Sequence, residues 1–155
     1  MAGGALPLIV NPAGPAPSSL LQSPFARANR SCSVNAGNLA FGNYNPLSGN
    51  TATTSAIFTV RCNRYTNVAI TFSSGQSGTY TTRYMKAGST DQLDYNIYTD
   101  TTYTGVIGDG TNGTYYYYGT AGPGGGYAYY YGLVPASQNV SPGSYSDIIT
   151  VTVTY

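Results

Sequence analysis

From Asp147 to Tyr155 the chain alternates without a break. Ile149, Val151, Val153 and Tyr155 fall on one side, and Ile148, Thr150, Thr152 and Thr154 on the other. A period of two built from β-branched residues is a strand with one apolar face. No turn and no returning hairpin partner follow it. An open, β-branched edge recruits other chains. This one feature therefore demands a sheet whose last edge is covered by something other than a local hairpin.

The rest of the chain agrees with a strand-built fold. No stretch of the 155 residues shows a sustained 3.6-residue apolar period, and Gly (20) and Tyr (17) are abundant. That composition favours strands and turns over helices. Strands are read at "SCSVNAGNLAFG", "TATTSAIFTVRC", "TNVAITFSSG", "RYMKAG", "QLDYNIYTD" and "GYAYYYGLV", besides the last one. "YTGVIGDGTNGTYYYYG" reads as a hairpin around its Gly/Asp/Asn cluster. Roughly seven short strands in one domain point to an all-β, immunoglobulin-like sandwich.

Upstream, residues 1–19 ("MAGGALPLIVNPAGPAPSS") are Pro/Gly/Ala-rich and uncharged. Leu6, Leu8 and Val10 share one face of an extended segment, and Pro7 bars it from the centre of its own sheet. The Pro-rich stretch behind it reads as a linker. The expected organisation is an extension over residues 1–19 and a domain over residues 20–155. No run is long enough for a transmembrane helix. Ala26-Arg27-Ala28 imitates a signal-peptidase site, but the prolines break any apolar core before it. An export signal is expected to have been removed upstream.

Several function classes fall away. Charged residues are 7% of the chain and the formal net charge is +1. No basic field suits nucleic acid and no polybasic run suits a membrane surface. Histidine is absent, which removes the commonest general base and transition-metal ligand. No base is placed to activate a hydroxyl nucleophile, so no enzyme, cofactor or metal is expected. "GDGTNG" at 108–113 matches a dinucleotide fingerprint only in spelling, because "TYYYY" follows it where a helix is needed. Asp91 and Asp94 fall on opposite faces of a strand and do not form a carboxylate pair. Cys32 and Cys62 read best as one disulfide in an oxidising compartment, two buried thiols being the alternative.

The tyrosines are the remaining signal. "YYYY" at 115–118 and "YAYYY" at 127–131 put rings on both faces of their strands. Tyr115, Tyr117, Tyr127, Tyr129 and Tyr131 are candidates for an aromatic surface between subunits, with sugar binding as the second use.

Ordered motifs also match a known family. "SCSVNAGNLAFGNYNP", "FTVRCN", "RYMKAGSTDQLDYNIYTD", "GVIGDGTNGT" and "YGLVPASQNVSPGSYSDIITVTVTY" resemble the spore coat protein U domain at matching spacing. Ile107 stands where that family usually carries Trp. The family includes pilin subunits of archaic chaperone–usher pili. The resemblance implies an incomplete immunoglobulin-like β-sandwich lacking its final strand. It further implies completion by donor-strand exchange, first from a periplasmic chaperone, then at an outer-membrane usher from the next subunit. The expected product is a head-to-tail homopolymer outside the cell. Ile149, Val151, Val153 and Tyr155 would line the acceptor groove. Leu6, Leu8 and Val10 would supply the donor strand, with residues 20–28 (Leu21, Phe25) as the alternative. A spore or cell-surface coat protein and a Tyr-rich carbohydrate-binding module are the competing readings.

Overall fold

Burial follows the alternation. In the eleven-residue strand Ala52–Cys62, Phe58, Val60 and Cys62 are buried while Ile57, Thr59 and Arg61 face out. The computed structural model describes residues 29–155 apart from Ser89. Eight strands lie among them: β1 (Cys32–Ala36), β2 (Ala52–Cys62), β3 (Thr66–Phe72), β4 (Arg83–Ala87), β5 (Asp91–Tyr98), β6 (Tyr117–Ala121), β7 (Gly126–Val134) and β8 (Val151–Thr154). A 3₁₀ turn at Gly75–Ser77 follows β3.

The strands form two antiparallel sheets, one ordered β1-β2-β7-β5-β4 and the other β6-β3-β8. Cys32 stands directly opposite Cys62 in the β1–β2 ladder, and the two are joined by a disulfide. In the smaller sheet β3 is central: Ile70 pairs with Tyr117 on one side and with Val153 on the other.

Aromatic rings fill the space between the sheets. Phe58 meets Tyr117 edge-on at 4.8 Å between centroids, and Phe72 meets Tyr130 at 5.1 Å. Each such side chain, fully buried, contributes about 1.5–3 kcal/mol. The tyrosine hydroxyls remain satisfied: Tyr117 donates across the sandwich to the Tyr129 carbonyl, and Tyr130 donates to the Gly37 carbonyl. A large apolar body with a bonded polar tip is how a buried Tyr avoids an orphan hydroxyl.

Three local expectations change. β1 ends at Ala36 and does not run on to Gly42. Past Gly37 the chain leaves the sheet and lays Phe41 and Leu39 over Gly132 of β7. A Cβ on Gly132 would fall 2.6 Å from the Phe41 ring.

The segment 103–119 is no regular hairpin. Tyr98 bridges Val106 antiparallel, but Ile107 bridges Tyr115 in parallel, so the chain loops fully round between them. Asn112 at φ 52° and Gly113 at φ 77° make that reversal possible.

The last strand pairs with β3 only from Val151, because β3 ends at Phe72 and the 3₁₀ turn follows. Residues 147–150 stay extended and are tied differently, through Ser73 N–H to the Thr150 carbonyl at 2.9 Å.

Candidate functional site

β1 is an edge of the larger sheet and β8 an edge of the smaller one. They pass close to each other without forming a ladder. β8 pairs with β3 on one side and, among the described residues, with no strand on the other. Its unpaired N–H and C=O groups are therefore available to a further strand.

Between these two edges lies a cavity of about 400 Å³. Ala36, Leu39 and Phe41 line one wall and Ile149 and Val151 the other, with Phe72, Ile97 and Tyr130 beneath. A second cavity of about 610 Å³ adjoins it and shares Leu39, Phe41, Met85 and Tyr145. It continues the trough toward Leu93 and Val140. The trough thus opens directly onto the aromatic core. Its walls mix apolar side chains with polar groups such as Asn38, Ser146 and Asp147, so an extended peptide would meet both side-chain pockets and hydrogen-bond partners.

The wall leading into β8 is held from two directions. Ser146 exchanges backbone hydrogen bonds with Lys86 of β4, at 2.9 and 3.0 Å. Asp147 accepts from the Tyr95 hydroxyl at 2.7 Å and from Gln76 N–H at 2.9 Å, which closes the 3₁₀ turn against the wall. Burial, then the Asp147 hydrogen bond and charge, push the Tyr95 phenol well above its ordinary value. A Cβ on Gly75, at φ +67°, would meet the Asp147 carboxylate at 2.1 Å, so glycine is required there.

The candidate groove residues divide. Ile149 and Val151 line the trough. Val153 is half-buried against the core, opposite Ile70, and lines neither cavity. Tyr155 lies past β8, exposed. Leu6, Leu8 and Val10, and the alternative Leu21 and Phe25, lie outside the described residues.

The tyrosine candidates divide too. Tyr117 is only 5% exposed and belongs to the core, not to a surface, because its position on β6 points into the sandwich. Its neighbour Tyr118 is the one that faces out. Tyr127, Tyr129 and Tyr131 sit on the outer face of β7, and Tyr115 is half-buried beside Gly105.

The sequence reading missed the polar node behind the trough. Arg83 is fully buried, and its guanidinium donates to the Ser73 and Ile107 carbonyls, each at 2.8 Å, and to Asn96 Oδ1 at 2.7 Å. Asn96 in turn donates to the Tyr80 carbonyl at 2.9 Å. Only the position of Asn96 inside an apolar strand hinted at this node. Among the described residues, no cluster of three or more His, Cys, Asp or Glu side chains is arranged to hold a metal.

Comparison with known proteins places this arrangement. The spore coat protein U domain model matches residues 19–152. Protein U of Myxococcus xanthus is 29% identical over 163 residues, covering 94% of this chain and 89% of that protein. Among solved structures, one similar in fold is the chaperone–tip adhesion subunit pre-assembly complex from the archaic chaperone–usher Csu pili of Acinetobacter baumannii. The TM-score is 0.55 at 20% identity, over 82% of this chain and 40% of that one. That likeness concerns the fold, and the chain spans well under half of its length. The family match runs through both cysteine strands, the trough and the first half of β8, and by it the chain belongs to the spore coat protein U domain family.

Proposed function

We propose that this protein is a structural subunit of an extracellular fibre, polymerised by strand insertion. The observation that carries the reading is the trough between two unladdered strand edges, walled by Ile149 and Val151 and open to the core at Phe72. The N-terminal strand of one copy, with Leu6, Leu8 and Val10 facing inward, would fill the trough of the next. Burying three to five donor side chains contributes about 5–15 kcal/mol before ordering costs. Backbone hydrogen bonds along β8 add roughly 1 kcal/mol each. Such a head-to-tail contact does not close on itself and so generates a filament. The fold shared with a chaperone-bound pilus subunit supports a periplasmic chaperone as the temporary occupant, and an outer-membrane usher as the site of exchange.

Deletion of residues 1–12 tests the donor. The truncated chain should form no fibres by electron microscopy, yet bind a synthetic peptide of residues 1–12 as a monomer. Normal fibres from the truncation would show that Leu6, Leu8 and Val10 are not the donor and would turn attention to residues 20–28. The family's spore coat description supports a second reading, a surface coat. Amorphous layers in place of regular fibres would favour it.

A further inference from the structure

The outer face of the larger sheet carries a tyrosine track. Tyr127, Tyr129 and Tyr131 project outward from β7 while Tyr130 enters the core. The Tyr127 and Tyr129 rings meet edge-on at 6.1 Å. Tyr131 stands opposite Tyr98 of β5. On β2 the register partners are Thr59, Ile57 and Ser55, none of them charged. From Tyr127 to Tyr131 the track runs about 13 Å.

At the Tyr127 end the track opens into a cavity of about 420 Å³, bounded by Ser33, Arg61 and the glycine turn 124–126. The described chain begins at this same corner. Asn63 donates to the Asn29 carbonyl at 2.8 Å and accepts from Ser31 N–H at 3.1 Å. Asn29, from which residues 1–28 continue, is thus tied at the Asn63 end of β2, the end of that strand nearer Tyr127. Their chemistry matches the track: no charged residue precedes Arg27, and Pro12, Pro15 and Pro17 recur at close spacing. In polyproline II geometry residues 12–17 span about 16 Å, close to the length of the track. The twelve steps from residue 17 to residue 29 reach up to about 40 Å, ample for a return onto the sheet.

We propose that residues 12–17 dock in cis on the Tyr127–Tyr129–Tyr131 track. Proline rings pack on the tyrosine faces, and phenol hydroxyls donate to the free carbonyls of the segment. This goes beyond the fibre reading. It assigns the outer face an occupant and fixes the direction in which residues 1–10 leave the body.

The test is nitration of the full chain with tetranitromethane, scored residue by residue by peptide mass spectrometry. Tyr65, 81% exposed and off the track, is the reference for Tyr129, 48% exposed in the described residues. Tyr129 should react at least about fivefold more slowly than Tyr65, equivalent to a cover worth about 1 kcal/mol. Tenfold dilution should not change the ratio. Combined Pro12→Ser, Pro15→Ser and Pro17→Ser substitution should raise the Tyr129 rate toward that of Tyr65.

Equal rates in the full chain overturn the proposal. So does protection that is relieved by dilution, which assigns the cover to a second copy, or that survives the triple substitution, which assigns it to something other than the prolines. Electron microscopy of the same samples separates the two readings. Fibres with freely nitrated Tyr129 refute the docking alone, and protected Tyr129 in a chain that forms no fibres and whose truncation binds no residue 1–12 peptide refutes the fibre reading alone.

Discussion

Arg83 shows how a single residue sets the conditions around it. Its guanidinium is fully buried and bonded to two backbone carbonyls and the Asn96 side chain, with the Tyr80 ring against it at 5.1 Å. Burial pulls its pKa below the ordinary arginine value, while Tyr95, Tyr80 and Asp147 pull it back. It stays a cation at neutral pH. Arg83→Met would leave the Ser73 and Ile107 carbonyls unpaired, Asn96 Oδ1 keeping the Ile97 N–H, and should cost at least about 2 kcal/mol, read as a lower urea midpoint. Tyr95 gives a pH signature. Its pKa is raised in the fold by burial and by Asp147, so its contribution is complete below the unfolded value near 10 and is lost as pH rises above it. Stability should therefore fall above about pH 10. Tyr95→Phe should lower neutral stability by about 1 kcal/mol and make the alkaline limb shallower in chemical denaturation at pH 8 to 11.5. Tyr117, also raised by burial, keeps that limb from vanishing.

At the scale of elements, the two walls of the trough are stabilised by different means. Among the described residues β1 pairs only with β2, and it is pinned by Cys32–Cys62 at one end of that ladder. Closing a loop of thirty positions contributes about 3–4 kcal/mol. Reduction should lower the urea midpoint by the corresponding amount and raise hydrogen exchange in β1 first. β8 has no such staple. Four residues pair it with β3, and the segment before it depends on Ser146 and Asp147. Much of this level was legible in advance. The alternation of Phe58 and Val60 in β2, and of Val68, Ile70 and Phe72 in β3, predicted the buried face of each strand. The course of the chain past β1 was not legible. Leu39 and Phe41 fall out of phase with Val34 and Ala36, so a strand run on past Gly37 would turn them to the opposite face. The chain turns there because Gly132 leaves room for the Phe41 ring.

For the whole molecule the open side of β8 dominates. A sandwich whose trough is floored by Phe72 and Tyr130 and walled by the half-buried Phe41, Ile149 and Val151 keeps apolar surface in contact with solvent unless an added strand fills it. Val151→Asp would put a carboxylate into that wall, where a bound donor would desolvate it without a partner. The variant should weaken binding of the residue 1–12 peptide to the truncated chain by at least about 100-fold in calorimetry, equivalent to about 3 kcal/mol. Secondary structure should stay unchanged by circular dichroism, because Val151 is only half-buried before filling.

The sequence by itself determined most of the strands, which face of β2 and β3 is apolar, and which two cysteines stand together. These follow from a period of two and from the register of neighbouring strands, both local properties. Only the tertiary structure decided what those faces meet. It sent Tyr117 into the core and Tyr118 outward, and buried Arg83 among carbonyls from three separate segments. It also drew Ile149 and Val151, but not Val153 or Tyr155, into the trough. The reason is physical. Alternation says that two faces differ, whereas the choice of partner depends on residues dozens of positions away that come together only when the sheets stack.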